Sequence, residues 1–236
     1  MKTLLVIPAH NEEKCLPGLL EEVRRAGYDA LVVNDASSDS TEQLAKAAGF
    51  PVLSLPVNLG IGGGVQAGFV YALRNGYDVV VQVDGDGQHD PGQVPEVVGP
   101  IAMGVADCVI GSRYMPEARD MGYKTHFARR MGMYFSTAIL QLATGLRIHD
   151  TTSGFRALNR AAFGFFTAEY PVDHPEAESL LLLHQAGFRI LEVPVRMRSR
   201  AGGQSLFTFL RAILYPLRVI IGFMGNVSKA SRRQQR

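Results

Sequence analysis

The apolar positions of this chain form short, continuous runs that alternate with longer segments of helical periodicity. Four early runs have the length of a buried strand: TLLVIP (3–8), ALVVND (30–35), PVLSLP (51–56) and DVVVQVD (78–84). Helical patterns occupy the intervals around them: residues 12–26, 37–49 and 62–75. Apolar strands that alternate with helices predict a parallel sheet whose two faces are both covered.

The second half of the chain has a less regular pattern. Residues 112–130 are irregular and charged, which predicts a mobile loop over an edge of the sheet. Beyond residue 150 the pattern predicts a short strand near 152–158, a helix over 174–186 and an apolar strand segment at 188–199. We therefore expect an α/β core with a less regular second half.

Polar clusters follow three of the predicted strands at the point where each strand ends. They are PAHNEE (8–13), NDASSDS (34–40) and DGDGQHD (84–90). In open parallel sheets, ligands bind beyond the carboxyl ends of the strands. We therefore expect the three clusters to converge on one ligand site.

The third cluster contains two carboxylates in the pattern Asp-x-Asp. Asp84 and Asp86 follow a strand that is too apolar to be exposed, and a turn after a strand can bring both carboxylates towards one ion. Carboxylate oxygens, with water and phosphate completing the sphere, suit Mg²⁺ or Mn²⁺. The alternative is a solvated turn in which the aspartates cap backbone N–H groups.

The glycine-rich segment GIGGGVQAG (60–68) offers a rival interpretation. Gly62, Gly64 and Ala67 have the GxGxxA spacing of a dinucleotide-binding turn, and Asp84 lies roughly where the ribose-binding acid of such a fold would fall. That fingerprint normally opens the first βα unit, whereas two units precede it here. It also leaves the second aspartate of the Asp-x-Asp pattern without a role. A turn that permits tight packing is the favoured interpretation.

Composition limits the function without naming it. The 236 residues, 47% hydrophobic and 19% charged, fit one large α/β domain, and a formal net charge of +2 argues against a nucleic-acid partner. The two cysteines, Cys15 and Cys108, lie far apart without ligand spacing and are expected to be buried thiols. The first apolar run is too short for a signal peptide, so we expect a cytoplasmic catalytic part.

The carboxyl-terminal segment predicts contact with a membrane. Residues 205–225 are apolar over about the 20 positions that a span needs, but arginines near its middle would be costly there. The polar positions form one helical stripe: Arg211, Tyr215, Arg218, Gly222, Gly225 and Lys229. An amphipathic helix in the membrane interface, followed by a basic tail, fits better than a span; the alternative is a helix packed on the protein's own core. We divide the chain into a domain over 1–204 and a terminal helix and tail over 205–236.

Eight motifs, taken in order, carry a resemblance to a known family: IPAHNEE, VVNDASSDST, NLGIGGGVQAGF, DGDGQHDP, GSRY, DTTSGFRALNR, AGFRILEVPV and RAGGQS. On these motifs the chain resembles the family 2 glycosyltransferases of GT-A fold, close to the polyprenyl-phosphate (dolichol-phosphate) mannosyltransferase branch. The resemblance implies a mostly parallel GT-A sheet with helices on both faces, a nucleotide-sugar donor, and Mg²⁺ or Mn²⁺ as cofactor.

The resemblance also assigns donor-binding roles to individual residues. Asp35 matches the acid that holds the nucleotide base. The family's usual Asp-Asp-Gly-Ser is Asn-Asp-Ala-Ser in this chain, so one acid is lost and the choice of base is left open. The other positions that match nucleotide-binding segments are Pro8, Ala9, Asn11, Glu12, Gly60, Gly64 and Asp84.

The metal site and two cations are implied by the same resemblance. Asp84, Asp86 and Gln88 match the metal-binding triplet of the family, and Asp86 is expected to be essential for transfer. Arg113 in GSRY and Arg200 in RAGGQS match cations near the donor or acceptor phosphate. The alternative for either arginine is a surface ion pair.

The implied reaction inverts the sugar, because the acceptor attacks from the face opposite the leaving nucleoside diphosphate. A polyprenyl phosphate at the cytoplasmic face of a membrane is the expected acceptor, and it is already an anion. A sugar hydroxyl, the alternative acceptor, needs a carboxylate to take its proton. Candidates are Asp173, Glu176 and Glu178, of which Glu178 keeps the family's spacing; they are also acids that a helix dipole would favour. A non-catalytic subunit that binds nucleotide-sugar or lipid phosphate is the second class of function.

Overall fold

A computed structural model of the chain describes residues 1–121, 127–168, 170–171 and 175–198. Within these ranges the strands are β1 (Thr3–Ala9), β2 (Asp29–Asp35), β3 (Val52–Leu55), β4 (Val79–Gln82), β5 (Cys108–Ser112), β6 (Arg156–Asn159) and β7 (Ile190–Pro194). The helices are α1 (Leu16–Ala26), α2 (Thr41–Ala47), α3 (Gly60–Arg74), α4 (Val94–Ala102), α5 (Phe127–Thr144), α6 (Arg160–Phe165) and α7 (Pro175–Gln185). Short 3₁₀ helices lie at Pro91–Gln93 and Pro116–Met121.

The strands form one mixed sheet in the order β3-β2-β1-β4-β6-β5-β7. β1 pairs in parallel with β2 and β4, and β5 pairs in parallel with β7, whereas β6 is antiparallel to both β4 and β5. The described strands other than β6 therefore end at one edge of the sheet, and β6 begins there. The predicted mostly parallel sheet of GT-A type is confirmed.

Helices cover both faces of the sheet, and β1 shows why its sequence is apolar throughout. Leu4 and Val6 point into a core that contains Val65 and Phe69 of α3. Leu5, on the opposite face, belongs to a second core with residues of α1 and α4. Burial of a side chain of this size is worth about 1.5–3 kcal/mol, so a continuous apolar run stabilises packing on both sides of the sheet.

The glycine-rich segment 60–68 permits α3 to pack closely on β1. A Cβ at Gly68 would overlap the Val6 side chain, and one at Gly64 would lie 3.4 Å from the Pro8 Cβ. Because α3 begins at Gly60, the GxGxxA spacing lies inside the helix rather than in a turn before it. The favoured interpretation is therefore correct for the tight packing and wrong for the turn, because the segment is helical from Gly60 onwards.

The prediction of a loop over residues 112–130 is wrong for most of its described part. Ser112 ends β5, a 3₁₀ helix covers Pro116–Met121, and α5 begins at Phe127. The helix forms here because of tertiary packing. Ser136 and Leu140, in the later turns of α5, are fully buried, and this burial stabilises a helix whose first residues are charged and show no helical pattern in the sequence.

Several expectations lie outside the described residues. They are the amphipathic helix 205–225, the tail that follows it, Asp173 and Arg200. The division of the chain between residues 204 and 205 therefore stays a prediction. Among the helices of the described ranges, none combines the length and apolar character that crossing a membrane requires.

Candidate active site

The candidate site lies at the carboxyl edge of the sheet, between the ends of β1 and β4. The chain runs from β1 to β2 and β3 on one side, while β4 pairs with the other side of β1, and a crevice opens at such a reversal of strand order. The Gly85 N–H donates to the Pro8 carbonyl at 3.3 Å, and a Cβ at Gly85 would lie 3.3 Å from the Ala9 Cβ. The acidic turn and the first polar cluster are therefore in direct contact.

The turn after β4 carries the three predicted metal ligands. Asp84 and Asp86 are half-buried, and the Asp86 Oδ1 accepts the Gln88 N–H at 3.0 Å. The Gln88 amide is oriented from outside the turn, because its Nε2 donates to the Arg198 carbonyl at 3.2 Å. The Arg198 N–H in turn donates to the Gln88 carbonyl at 2.9 Å.

This set of donors fits a hard divalent cation. Two carboxylates and an amide oxygen on one turn are ligands that Mg²⁺ and Mn²⁺ accept. Within the described ranges, no three His, Cys, Asp or Glu side chains are grouped so that they could hold an ion. Water and the phosphate of a substrate would therefore have to complete the coordination sphere.

Hydrogen bonds tie the loop after β1 to the loop after β2. Asn11 has a left-handed φ of 56°; its N–H donates to the Ser37 Oγ at 3.0 Å, and its Oδ1 accepts the Ser38 N–H at 2.8 Å. The Glu12 N–H donates to the Thr41 Oγ1 at 2.8 Å. Two of the predicted nucleotide-binding residues thus join the two loops, and their contact with a nucleotide stays a prediction.

Asp35 is buried, and the start of α3 holds both of its carboxylate oxygens. Oδ1 accepts the Leu59 N–H at 2.7 Å, and Oδ2 accepts the Gly60 N–H at 2.9 Å. Gly60 allows this turn because its φ is 74°, a conformation open to glycine at little cost. Asp35 therefore joins β2 to α3, and each oxygen retains a second lone pair for the predicted bond to a base.

The two departures from the family's Asp-Asp-Gly-Ser pattern have structural consequences. Asn34 is buried, its Nδ2 donates to the Glu42 Oε2 at 3.1 Å, and its Oδ1 accepts the Ser37 N–H at 3.2 Å. Both ends of this amide are engaged within the loop. Ala36 has a φ of 51°, which explains why glycine is usual there and means that alanine adopts a strained conformation.

Arg113 follows β5 and forms a buried ion pair with Asp150, a residue to which sequence reasoning gave no role. The Arg113 Nε and Nη2 donate to the two Asp150 carboxylate oxygens, each at 2.7 Å, and the Arg113 N–H adds a third bond at 3.1 Å. Burial alone would raise the pKa of Asp150, but the adjacent guanidinium and these hydrogen bonds hold that pKa below its usual value. The alternative of an ion pair is thus realised in the interior, and the role of Arg113 towards phosphate stays a prediction.

Glu192 of β7 accepts hydrogen bonds from the segment that carries Asp150. Its largely buried carboxylate accepts the His149 N–H at 2.8 Å, the Asp150 N–H at 2.7 Å and the His149 Nδ1–H at 2.8 Å. Asp150 opens the DTTSGFRALNR motif, which the sequence identified as a block without assigning roles inside it. In the sequence, only its place in this motif indicated that Asp150 belongs to the site. Its partners, Arg113 and Glu192, are identified by the structure.

The predicted base candidates Glu176 and Glu178 lie in the first turn of α7 and are half-buried. That turn is anchored to the site by Arg156 of β6, whose Nη1 donates to the Ser179 Oγ at 2.8 Å. Arg156 pairs with Gln82 across β4 and β6, which places the start of α7 over the carboxyl end of β4. The role of Glu176 or Glu178 as a base stays a prediction.

The fold and its strand-end residues define an α/β protein with a ligand crevice at the reversal of its strand order. Residues 4–165, more than half of the chain, match the family model described as glycosyl transferase family 2, and the chain belongs to that family.

Curated relatives are similar to the chain over most of their own length. An undecaprenyl-phosphate mannosyltransferase of Micrococcus luteus is 35% identical over 215 residues, which are 87% of this chain and 87% of that protein. A polyprenol monophosphomannose synthase of Mycolicibacterium smegmatis is 31% identical over 217 residues, covering 86% and 80% of the two chains.

A solved structure shares the fold. The crystal structure of glucosyl-3-phosphoglycerate synthase from Mycobacterium tuberculosis in complex with Mn²⁺, uridine diphosphate and phosphoglyceric acid superimposes with a TM-score of 0.72. The alignment covers 95% of this chain and 78% of that chain at 20% identity, and at this level of identity the likeness concerns the fold alone.

Proposed function

We propose that this protein is an inverting glycosyltransferase that moves a sugar from a nucleoside-diphosphate donor to a polyprenyl phosphate, with Mg²⁺ or Mn²⁺ as cofactor. The observation that carries the proposal is the contact between the Asp84–Asp86 turn and the end of β1 at the reversal of strand order. Membership of glycosyl transferase family 2 supports the reaction class. The acceptor is supported by the names of the two relatives, an undecaprenyl-phosphate mannosyltransferase and a polyprenol monophosphomannose synthase.

On the donor side, the loops after β1 and β2 bind the nucleoside, and the acidic turn binds the diphosphate. Asp84, Asp86 and Gln88 would hold the cation, which when bound offsets the negative charge of the leaving nucleoside diphosphate. Asn11, Glu12 and the segment Gly60–Gly64 line the nucleoside side. The Mn²⁺ and uridine diphosphate named in the related crystal structure belong to that protein and make both reasonable first choices for assays.

On the acceptor side, the choice of a lipid phosphate removes the need for a strong base. A phosphate monoester is an anion at neutral pH, so its oxygen attacks the sugar without first losing a proton to the protein. Arg113, together with Arg200, provides positive charge towards that phosphate. Arg113 is held at the carboxyl edge by Asp150, which orients the guanidinium before any substrate arrives.

The membrane location is the final part of the proposal. The stripe of Arg211, Arg218 and Lys229 would place residues 205–225 along the cytoplasmic face of a membrane, where a polyprenyl phosphate presents its headgroup. Peripheral binding predicts flotation with anionic vesicles and partial release at high salt. Resistance to alkaline carbonate extraction would instead indicate a span.

The test uses the purified full chain with GDP- or UDP-sugars and undecaprenyl phosphate in anionic vesicles, and it measures the mass of the lipid product. We expect a glycosyl-phosphoryl lipid that forms only with added Mg²⁺ or Mn²⁺ and disappears in Asp86→Ala. Asp78→Ala is the matched control, because this aspartate lies at the amino end of β4 and accepts the Lys2 N–H at 2.7 Å, away from the crevice. Full activity in EDTA would refute the requirement for a divalent metal ion.

Two variants separate the remaining alternatives. Glu178→Gln should keep transfer to the lipid phosphate, because that acceptor needs no base, and a complete loss would favour a hydroxyl acceptor. Glu176→Gln is tested in parallel, because it is the other described candidate base in the same helix turn, and the same two outcomes apply to it. Nucleotide-sugar binding without turnover on any acceptor would indicate the non-catalytic subunit.

A further inference from the structure

The side chain of Asp84 is hydrogen-bonded to the last residue of the strand that precedes it. Gln82 ends β4, its side chain is buried, and its Nε2 donates to the Asp84 Oδ1 at 3.0 Å. Residues two apart on extended backbone point to the same side, so the amide and the carboxylate lie next to each other by geometry. A buried amide needs a partner, and Asp84 supplies one.

The main chain of Asp84 is held by His89, for which sequence reasoning found no role. The buried His89 ring accepts the Asp84 N–H at its Nδ1, at 3.0 Å, and lies 5.2 Å from the Phe155 ring between centroids. Because a backbone N–H can only donate, the Nδ1 carries no proton and the ring is in the Nε2–H form. The 3.8 Å separation between its Nε2 and the Asp84 Oδ2 is therefore not an ion pair.

The third contact is made by Gly154, in the turn before β6. A Cβ at this position would lie 2.8 Å from the Asp84 Oδ2, 3.0 Å from its Oδ1 and 3.0 Å from the Gln82 Nε2. The φ of Gly154 is not in the left-handed region, so its backbone conformation is open to alanine. Glycine is required there for the space that the Asp84 carboxylate occupies.

From these three contacts we infer that Gln82, His89 and Gly154 are positioning residues that set the direction of the Asp84 carboxylate before donor and cation bind. The inference rests on the proposed function, because the direction of Asp84 matters to transfer only if that carboxylate serves the cation or the diphosphate. Residues that orient a metal ligand typically change metal affinity or activity by about 10–100-fold when replaced. Gly154 is the most informative of the three, since it contributes no hydrogen bond of its own through a side chain.

The first experiment compares the full chain with its Gly154→Ala variant. The new methyl group meets the end of a movable side chain, so the variant should fold while its Asp84 carboxylate is displaced. We expect Mn²⁺ affinity, measured by the electron paramagnetic resonance of free Mn²⁺ with UDP or GDP present, to fall by about 10-fold or more. The kcat should fall with it, while the midpoint of thermal unfolding changes little. Gly164→Ala is the matched control, because its Cβ would meet only Leu73 at 3.9 Å.

A double-mutant cycle tests whether Gly154 acts through Asp84. In Asp84→Ala two of the three atoms that a Cβ would meet are absent, and the third, the Gln82 Nε2, is the end of a side chain that has lost its Asp84 partner and can turn away. Adding Gly154→Ala to Asp84→Ala should therefore change the unfolding of the metal-free protein and the residual Mn²⁺ affinity little further. A second, independent loss on adding Gly154→Ala would overturn the inference, because the glycine would then matter for a different reason.

His89 supplies a second pair of variants. Asn can place its Oδ1 where the Nδ1 accepts, so His89→Asn should retain more Mn²⁺ affinity than His89→Leu. Equal affinities in the two variants would refute the acceptor role of this histidine. The proposed function and this inference can fail separately. The proposed function is refuted if the wild-type chain shows neither Mn²⁺ binding nor sugar transfer. The inference alone is refuted if the wild type is active and Gly154→Ala has the same Mn²⁺ affinity and kcat.

Discussion

Strand β5 is flanked by two arginine–aspartate pairs that share one hydrogen-bond pattern. At the amino end of β5, the Asp107 Oδ2 accepts hydrogen bonds from the Arg189 backbone N–H at 2.8 Å and from its Nε–H at 3.0 Å. The Asp107 Oδ1 accepts a third bond from the Arg189 Nη2 at 2.9 Å. At the carboxyl end of β5, Asp150 is bound by the same three groups of Arg113, at 3.1, 2.7 and 2.7 Å. The local geometry of the two pairs is nearly the same.

Burial separates the two pairs. The side chains of Arg189 and Asp107 are 57% and 16% exposed, whereas those of Arg113 and Asp150 are 4% and 0% exposed. Exposed pairs contribute about 0–1 kcal/mol because water and salt screen them. Loss of one partner from a buried pair costs about 3–5 kcal/mol, because the remaining charge has no compensation. The pair at the carboxyl edge therefore has both a stability role and a place in the candidate site.

The largest effect is expected from removing the buried carboxylate. Asp150→Ala leaves the Arg113 guanidinium in the interior without its partner and should lower the free energy of unfolding by about 3–5 kcal/mol. Urea unfolding followed by circular dichroism measures this loss. A loss below about 1 kcal/mol would mean that water reaches the guanidinium and that the two pairs do not differ.

Neutralising both buried partners should separate stability from function. In Arg113→Met combined with Asp150→Asn, no unpaired charge remains, and the Asn oxygen can still accept the N–H of residue 113. We expect the double variant to recover at least about half of the stability lost in Asp150→Ala. Sugar transfer to lipid phosphate should be absent in the double variant, since the Arg113 cation is gone. Restored transfer would show that Arg113 has no role towards phosphate.

The exposed pair should tolerate the same change. Asp107→Ala is expected to lower the free energy of unfolding by clearly less than Asp150→Ala, because water reaches the Arg189 guanidinium that loses its partner. It should leave kcat and KM unaltered, because the amino end of β5 lies away from the crevice. Urea unfolding and the lipid transfer assay check both statements. A loss comparable to that of Asp150→Ala would remove the contrast between the pairs.

The smallest effect is a difference in acid sensitivity. Hydrogen bonds from the Arg189 side chain lower the pKa of Asp107 to about 2, against about 3.9 in an unfolded chain. The unfolded state then binds more protons between these values, so this contribution to stability is present above pH ~4 and is lost as the pH falls towards ~2. The free energy of unfolding of Asp107→Asn should therefore depend less on pH in that window. Parallel curves for variant and wild type would contradict the pairing.

The first half of the fold could be predicted from the sequence because its signals are local. Continuous apolar runs mark β1 to β4, and the acidic turn directly follows the last of them, so the positions of Asp84 and Asp86 at a strand end needed no tertiary information. The strained φ of 51° at Ala36, where the family usually has glycine, was found only in the structure. α5 was not predicted, because its first residues are charged and the helix is stabilised by tertiary packing of its later turns.

Periodicity and motif order determined that this chain forms a mostly parallel sheet with polar residues gathered at its carboxyl edge, because both follow from alternation and spacing along the chain. The partners of those residues were decided by the tertiary structure alone. β6 enters antiparallel between β4 and β5, and this single placement brings Asp150 to Arg113 and Gly154 to Asp84. No local pattern encodes the neighbour of a strand, because hydrogen bonds between strands join backbone groups that are common to every residue, and the choice among possible neighbours depends on how the whole core packs.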